Sequence, residues 1–279
     1  MKAYLTLTKP RISALVALTA AFGWAMAGGK ATPAFYAMVA GVVLASGASG
    51  ALNQYLERAE DALMRRTQNR PLPRGVVTPR AALALGLSLS AAGPALVWAA
   101  GGPLAAGLTA GTIALYVLGY TPLKKVTPQT TWLGAAAGAA PPLIGWAAAT
   151  GGLSMKAWAL FGIQFLWQIP HFLALFWLYR EDYARAGFRV MPVVHPDGST
   201  TAAQIAVHSF TLLPATLLPV LLGMAGLSYA LPAFVVGVVF LGLGLRASWT
   251  LAPKDARRLF LASLAYLPLI FGMLFLGGV

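Results

Sequence analysis

Three oxygen-bearing side chains, Asn53, Glu57 and Asp61, recur at intervals of four residues. On an α-helix this spacing sets them along one stripe, drifting by only about 40° per step at roughly 3.6 residues per turn. Hard oxygen donors in such a row suit Mg²⁺, which keeps several waters and is completed by substrate phosphates rather than enclosed by protein. Arg65, Arg66, Arg70 and Arg74 follow closely, and guanidinium groups grip phosphate oxygens in bidentate fashion. Metal donors followed by arginines describe a place for a Mg²⁺-bound diphosphate. The same residues could also do no more than pair with one another on a solvated face, as weak i,i+4 ion pairs. Asn53 favours the functional alternative, because it lies within an apolar run where a polar group is costly.

A second group follows much later. Trp167-Gln168-Ile169-Pro170-His171-Phe172 leads through an apolar stretch to Tyr179-Arg180-Glu181-Asp182. Glu181 and Asp182 add two acids, while Gln168 and His171 lie about two to three turns deeper at 1.5 Å of rise per residue. A histidine inside a span must face protein or water. Tyr120-Thr121-Pro122-Leu123-Lys124-Lys125 supplies two more cations, although Lys125 reads equally well as an ordinary topological charge.

The elements that position these residues are membrane helices. Of 279 residues, 58% are hydrophobic and only 10% charged, which excludes an ordinary water-soluble domain. Gly, Pro and charge divide the chain into about nine apolar runs, near 12–28, 33–56, 80–100, 103–120, 130–150, 157–178, 203–225, 228–249 and 257–277; a helix of about 20 residues spans the hydrocarbon core. The two long connections, 57–79 and 179–202, hold most of the polarity. Assigned to alternate sides, 18 of the 20 Lys and Arg residues fall on one side, leaving only Lys30 and Lys156 on the other. Basic residues are retained in the cytoplasm, so the N-terminus is expected inside and the C-terminus outside. All seven acids share the cytoplasmic side; acids do not set topology, which points to function. The net charge of +13 is then a consequence of topology and does not call for nucleic acid. Lys2 to Arg11 followed by an apolar run ending Ala25-Met26-Ala27 also resembles a signal peptide, but its removal would take away the first cytoplasmic anchor. With no cysteine, thiolate metal sites and disulfides are excluded.

At these residues the chain resembles the UbiA superfamily of intramembrane prenyltransferases. The resemblance runs through Asn53-Gln54-Tyr55-Leu56-Glu57, Asp61 and Met64 to Leu72, then Tyr120 to Lys125, then Trp167 to Phe172 and on through Asp182-Tyr183 to Pro192-Val193-Val194. It is strongest to the branch that farnesylates haem. Where quinone-prenylating members repeat Asp along the sixth helix, this chain has Trp-Gln-Ile-Pro-His-Phe, and Glu57 stands where Asp is common.

The resemblance implies a single transmembrane prenyltransferase domain over 1–279, an all-α polytopic membrane protein with about nine helices in a UbiA-type bundle, multi-pass in the inner (plasma) membrane, with its active site open to the cytoplasmic face. It implies transfer of farnesyl from farnesyl diphosphate to a vinyl group of haem b, giving haem O and pyrophosphate, with Mg²⁺ as cofactor and haem as substrate rather than redox group. A downstream haem A synthase is an expected partner beside the lipid bilayer. Asn53, Glu57, Asp61 and Asp182 are implied as catalytic metal and diphosphate ligands. Arg65, Arg66, Arg70 and Lys124 are expected on the diphosphate; Tyr120, Gln168, His171 and Glu181 are also expected to bind substrate, with His171 on the haem side. A quinone-type prenyltransferase is the nearest alternative. A secondary transporter fits less well, because the charges gather at one face rather than at the midplane.

Overall fold

The computed structural model describes residues 2–277, which form an all-helical bundle. In chain order the helices are α1 (Lys2–Leu7), α2 (Pro10–Met26), α3 (Pro33–Leu56), α4 (Arg58–Leu63), α5 (Pro79–Ala114), a π-helical stretch (Leu115–Tyr120), α6 (Thr121–Leu123), α7 (Thr130–Ala139), α8 (Pro141–Thr150), α9 (Met155–Leu178), α10 (Arg180–Arg185), α11 (Met191–Val194), α12 (Ser199–Leu221), α13 (Leu227–Thr250) and α14 (Pro253–Leu276). Proline opens α2, α3, α5, α8 and α14, where its missing N–H costs nothing and its fixed φ suits the first turn. Thr78 and Ser154 cap α5 and α9 by accepting from Ala81 N and Ala157 N.

Among the described residues, six runs are long and apolar enough to cross a membrane: Pro33–Leu56, Pro79–Leu123, Met155–Leu178, Ser199–Leu221, Leu227–Thr250 and Pro253–Leu276. The 45-residue run Pro79–Leu123 is not one rod. At Gly102 the backbone leaves the helix (φ 78°, ψ −173°). Late in α3, Leu52 meets Gly86 in the first limb and clusters with Val117 in the second, so both limbs lie alongside α3 and the chain reverses between them. Glycine tolerates that positive φ, and Pro103 restarts the helix. The run expected at 130–150 is divided into α7 and α8, ten residues each, before Pro141-Pro142. The apolar helix expected at 12–28 starts at Pro10 and has 17 residues. Both long connections carry short helices, α4 in the first and α10 and α11 in the second.

The core gathers on α9. No residue from Ala159 through Leu178 is exposed, and Leu160, Ile163, Ile169 and Leu173 are completely buried against α12, α14, α7 and α8. Lipid supplies no hydrophobic drive between helices, so close backbone approach at small residues does much of the packing. One such close approach is between α8 and α2, where a Cβ on Gly145 would fall 1.8 Å from Ala20 O. Gly145→Ala should therefore force these helices apart and cost about 1–3 kcal/mol. Gly107→Ala, with nothing within 4 Å, should be neutral or slightly stabilising. Thermal unfolding in detergent checks the pair; equal melting temperatures for the two variants would contradict this packing.

Candidate active site

The acidic stripe is built across a helix break rather than along one helix. α3 ends at Leu56 and Glu57 sits at the junction (φ −96°, ψ 15°), with α4 beginning at Arg58. Helical hydrogen bonds nevertheless continue through it, from Glu57 N to Asn53 O (2.9 Å) and from Asp61 N to Glu57 O (2.8 Å). Asn53, Glu57 and Asp61 thus stay in sequence along one side while the backbone turns. All three are buried, with Glu57 3% and Asp61 2% exposed.

Each of these side chains holds a cation. Lys124 Nζ lies 2.6 Å from Glu57 Oε1, yet that oxygen has no well-directed hydrogen bond. Arg70 Nη1 reaches both oxygens of Asp61 at 2.8 and 2.7 Å. Lys9 Nζ donates to Asn53 Oδ1 at 3.1 Å, and Asn53 Nδ2 donates to Thr121 Oγ1 at 3.3 Å. Lys125 pairs with Glu60 at 2.5 Å. Burial raises the Asp61 carboxyl pKa above its ordinary value, and Arg70 only partly opposes this. Burial works against the Lys124 ammonium, but Glu57, with Tyr183 and Tyr116, more than offsets it and the pKa rises. Lys124 remains a firm cation, packed 4.4 Å over Phe188 and 5.2 Å over the buried Tyr120 ring.

Two further segments close around this stripe. Arg189 N donates to Lys124 O (2.9 Å), and Arg66 donates to Tyr183 Oη while lying over the rings of Tyr179 and Tyr183. Asp182 is buried at the same face, but its carboxylate is paired with Arg185 at 2.9 Å. Arg65 and Glu181 are exposed, and no hydrogen bond or ion pair among the described residues ties either to the cluster. Gln168 is buried, its amide donating to Ala135 O and Gln164 O, so it faces α7.

His171 lies below the charged face and is joined to it by rings. Contacts pass from Phe188 to Tyr183, Phe176, Phe172 and His171, with centroid separations between 5.1 and 6.0 Å. Trp167 and Phe260 stack on His171. Its Nδ1 is 2.7 Å from Ser263 Oγ, which lies 2.6 Å from Phe260 O. A carbonyl only accepts, so the Ser263 hydroxyl donates to Phe260 O and must accept from His171 Nδ1–H. The lone pair is then on Nε2. Nothing in the spacing of α9 and α14 signalled Ser263, because a serine in an apolar run carries no pattern of its own. Lys9 was legible only as a topological charge, yet it enters the site. Burial, with Arg70 and Lys124 nearby, lowers its pKa to about 8.

Among the described residues, no three His, Cys, Asp or Glu side chains group closely enough to hold a metal by themselves. The donor set is instead an amide oxygen and separate carboxylates, interleaved with cations. Lys124→Met should leave Glu57 buried and uncompensated, at a cost of about 3–5 kcal/mol, whereas adding Glu57→Gln should restore most of the loss. Thermal unfolding of the single and double variants measures this; equal destabilisation would show that the two charges do not depend on each other.

The pattern of helices and charges has counterparts. The description "UbiA prenyltransferase family" matches residues 14–271. A protohaem IX farnesyltransferase of Solibacter usitatus is 42% identical, covering 99% of this chain and 98% of the relative. Another from Anaeromyxobacter sp. strain Fw109-5 is 44% identical, covering 99% and 93%. In structure, a UbiA homologue from Archaeoglobus fulgidus bound to DMAPP and Mg²⁺ superposes with a TM-score of 0.68 at 15% identity, covering 98% of this chain and 99% of that one. The chain belongs to the UbiA prenyltransferase family.

Proposed function

We propose that this protein joins the farnesyl group of farnesyl diphosphate to a vinyl group of haem b, with water adding to give haem O and pyrophosphate leaving. The observation that carries the reading is the buried row Asn53, Glu57 and Asp61, each oxygen set against a cation that a diphosphate can recruit. The acceptor is supported by full-length relatives named for protohaem IX and by His171 with its Nε2 lone pair.

In the reaction the allylic C–O bond breaks and its electron pair leaves with the diphosphate. Lys124, Arg70 and Arg66 neutralise the charge that develops on the phosphate oxygens. The vinyl carbon forms the new C–C bond, positive charge passes to the carbon next to the porphyrin, and water adds there with loss of a proton. The rings from Phe188 to Phe172 give the allylic cation apolar walls that hold water away until the C–C bond exists. Asn53, Glu57, Asp61 and Asp182 are the residues that would hold Mg²⁺; their separate oxygens fit an ion completed by diphosphate, and Glu57 Oε1 would become available when Lys124 turns to the phosphate. When bound, the ion supplies Lewis-acid neutralisation of the leaving group. That a UbiA homologue from A. fulgidus binds DMAPP with Mg²⁺ supports a divalent ion beside the diphosphate. Arg65, Tyr120, Gln168 and Glu181 belong to the proposed substrate surround; Gln168 acts through the placement of α9 against α7.

We further read nine spans, counting the two limbs around Gly102 separately and adding α2 and the α7–α8 pair to the apolar runs. The basic residues then place the site at the cytoplasmic face of the plasma membrane, with the N-terminus inside and the C-terminus outside.

Purified protein with farnesyl diphosphate, Mg²⁺ and either haem b or 4-hydroxybenzoate should yield the farnesyl hydroxyethyl product of haem alone by mass spectrometry. Asp61→Asn should lower turnover by about a hundredfold or more, the scale of one preorganised transition-state contact. Prenylation of 4-hydroxybenzoate with haem ignored would overturn the acceptor assignment, and near-normal turnover of Asp61→Asn would remove that residue from the chemistry. His171→Ala should weaken haem b binding in a Soret titration while leaving pyrophosphate affinity unchanged; unaltered haem binding would detach His171 from the acceptor.

A further inference from the structure

His208 presents an imidazole at the rim of the bundle. It lies within α12, beside Val207 and Phe210, which are 55% and 65% exposed toward the lipid side, and is itself half-buried. Its Nδ1 is 2.8 Å from Gln204 O. A carbonyl only accepts, so Nδ1 carries the proton of the neutral ring and Nε2 keeps the lone pair. The ring of Trp132, from α7, lies against the imidazole with 4.9 Å between centroids and 30° between planes. Trp132 Nε1 donates to Gln129 Oε1 at 2.6 Å, which fixes the indole in turn. Both α7 and α12 pack on α9, the helix that carries His171, and the stack joins them.

An oxygen acceptor on one ring nitrogen sets the tautomer and aims the other nitrogen, as is usual for a histidine that binds metal. His171 is prepared in the same way, its Nδ1–H taken by Ser263. A bare metal ion would ask for several side chains, and among the described residues no three His, Cys, Asp or Glu group closely enough to hold one. An iron porphyrin brings its own in-plane nitrogens and takes a single axial imidazole from the protein. The surroundings fit that ligand. A lone pair turned toward hydrocarbon meets no donor and is costly. Trp132 stands near the start of α7, shortly after the Lys124-Lys125 turn, which on the topology proposed above is the headgroup level where indoles gather. Haem b, an apolar ring with two propionates, favours that same level. Its iron would approach Nε2 in the plane of the imidazole, leaving the Trp132 stack on the ring face undisturbed.

Resting on the reading of haem b as acceptor, we propose that His208 is a haem-docking residue distinct from the acceptor site, an axial ligand at the lipid-facing rim that takes haem from the bilayer before it passes to His171. His171 is stacked by two rings, Trp167 and Phe260, whereas His208 is stacked by Trp132 alone, so the rim histidine is the more open of the two. Trp132 is the positioning residue, because its ring holds the plane of the imidazole.

The test titrates full-length protein in detergent with ferric haem b, followed by Soret absorbance and electron paramagnetic resonance. The wild type should bind haem at two histidine-ligated sites, a count that needs no variant to fold. His208→Ala should remove one of them or weaken it about tenfold or more, the loss of at least 1.4 kcal/mol, and His171→Ala should leave that site in place. His208→Gly should regain the histidine-type spectrum when free imidazole is added. Binding of iron-free protoporphyrin IX, which takes no axial ligand, should be the same in wild type and His208→Ala. A single haem site in the wild type, two ligated sites persisting in His208→Ala, no rescue of His208→Gly by imidazole, or equal loss of the iron-free porphyrin overturns the proposal for His208 alone. Absence of any histidine-ligated haem in the wild type, together with prenylation of 4-hydroxybenzoate in place of haem, would overturn the acceptor reading as well.

Discussion

The contact between Glu57 and Lys124 sets the terms for the rest of the site. Both side chains are withdrawn from water at the end of a membrane helix, with Lys124 only 6% exposed. Desolvating one ion there is costly, and desolvating two is tolerable only if they face each other. Asp61 and Asp182 are likewise buried, but their partners Arg70 and Arg185 keep part of their side chains in water. On the proposed reading, the protein's own cations stand where a metal would stand, and its own acids where phosphates would stand. A diphosphate with a divalent ion, binding as proposed, would exchange partners without exposing a bare charge.

Keeping such pairs in register requires a rigid frame, and the bundle provides one through short distances. α8 rides directly on α2 at Gly145, and the Gly102 reversal lays both limbs of α5 along α3. The second limb runs through its π-helical stretch to Tyr120 and delivers Lys124 to the end of α3. α9, shielded along most of its length, carries His171 on one flank and leads into α10 with Asp182 and Tyr183. The ring series from Phe188 to His171 spans the depth between the charged face and the proposed acceptor contact.

Much of this was legible in the sequence because it depends on periodicity and charge. The i, i+4, i+8 spacing of Asn53, Glu57 and Asp61 survived even the helix break at Glu57, since hydrogen bonds continue through it. The separation at Gly102-Pro103 was readable from the residues that make a turn. Partner choice was not readable: Asp61 pairs with Arg70 across the loop rather than with Arg65 one turn away, because α4 ends at Leu63 and the chain folds back. Arg65 and Glu181, adjacent in sequence to site residues, point outward. Lys9 and Ser263 come from opposite ends of the chain, so only tertiary contacts reveal them. The division of 130–150 followed from Pro141-Pro142, which hydropathy alone averages away.

If the site works as proposed, the internal ion pairs give way to substrate. The most direct test of that exchange is a structure of the protein with Mg²⁺ and a non-ionising farnesyl diphosphate analogue. Lys124 and Arg70 should then have moved from Glu57 and Asp61 onto phosphate oxygens at about 2.8 Å, with the freed carboxylates turned to the metal. Both original pairs intact, with the diphosphate bound elsewhere, would contradict it.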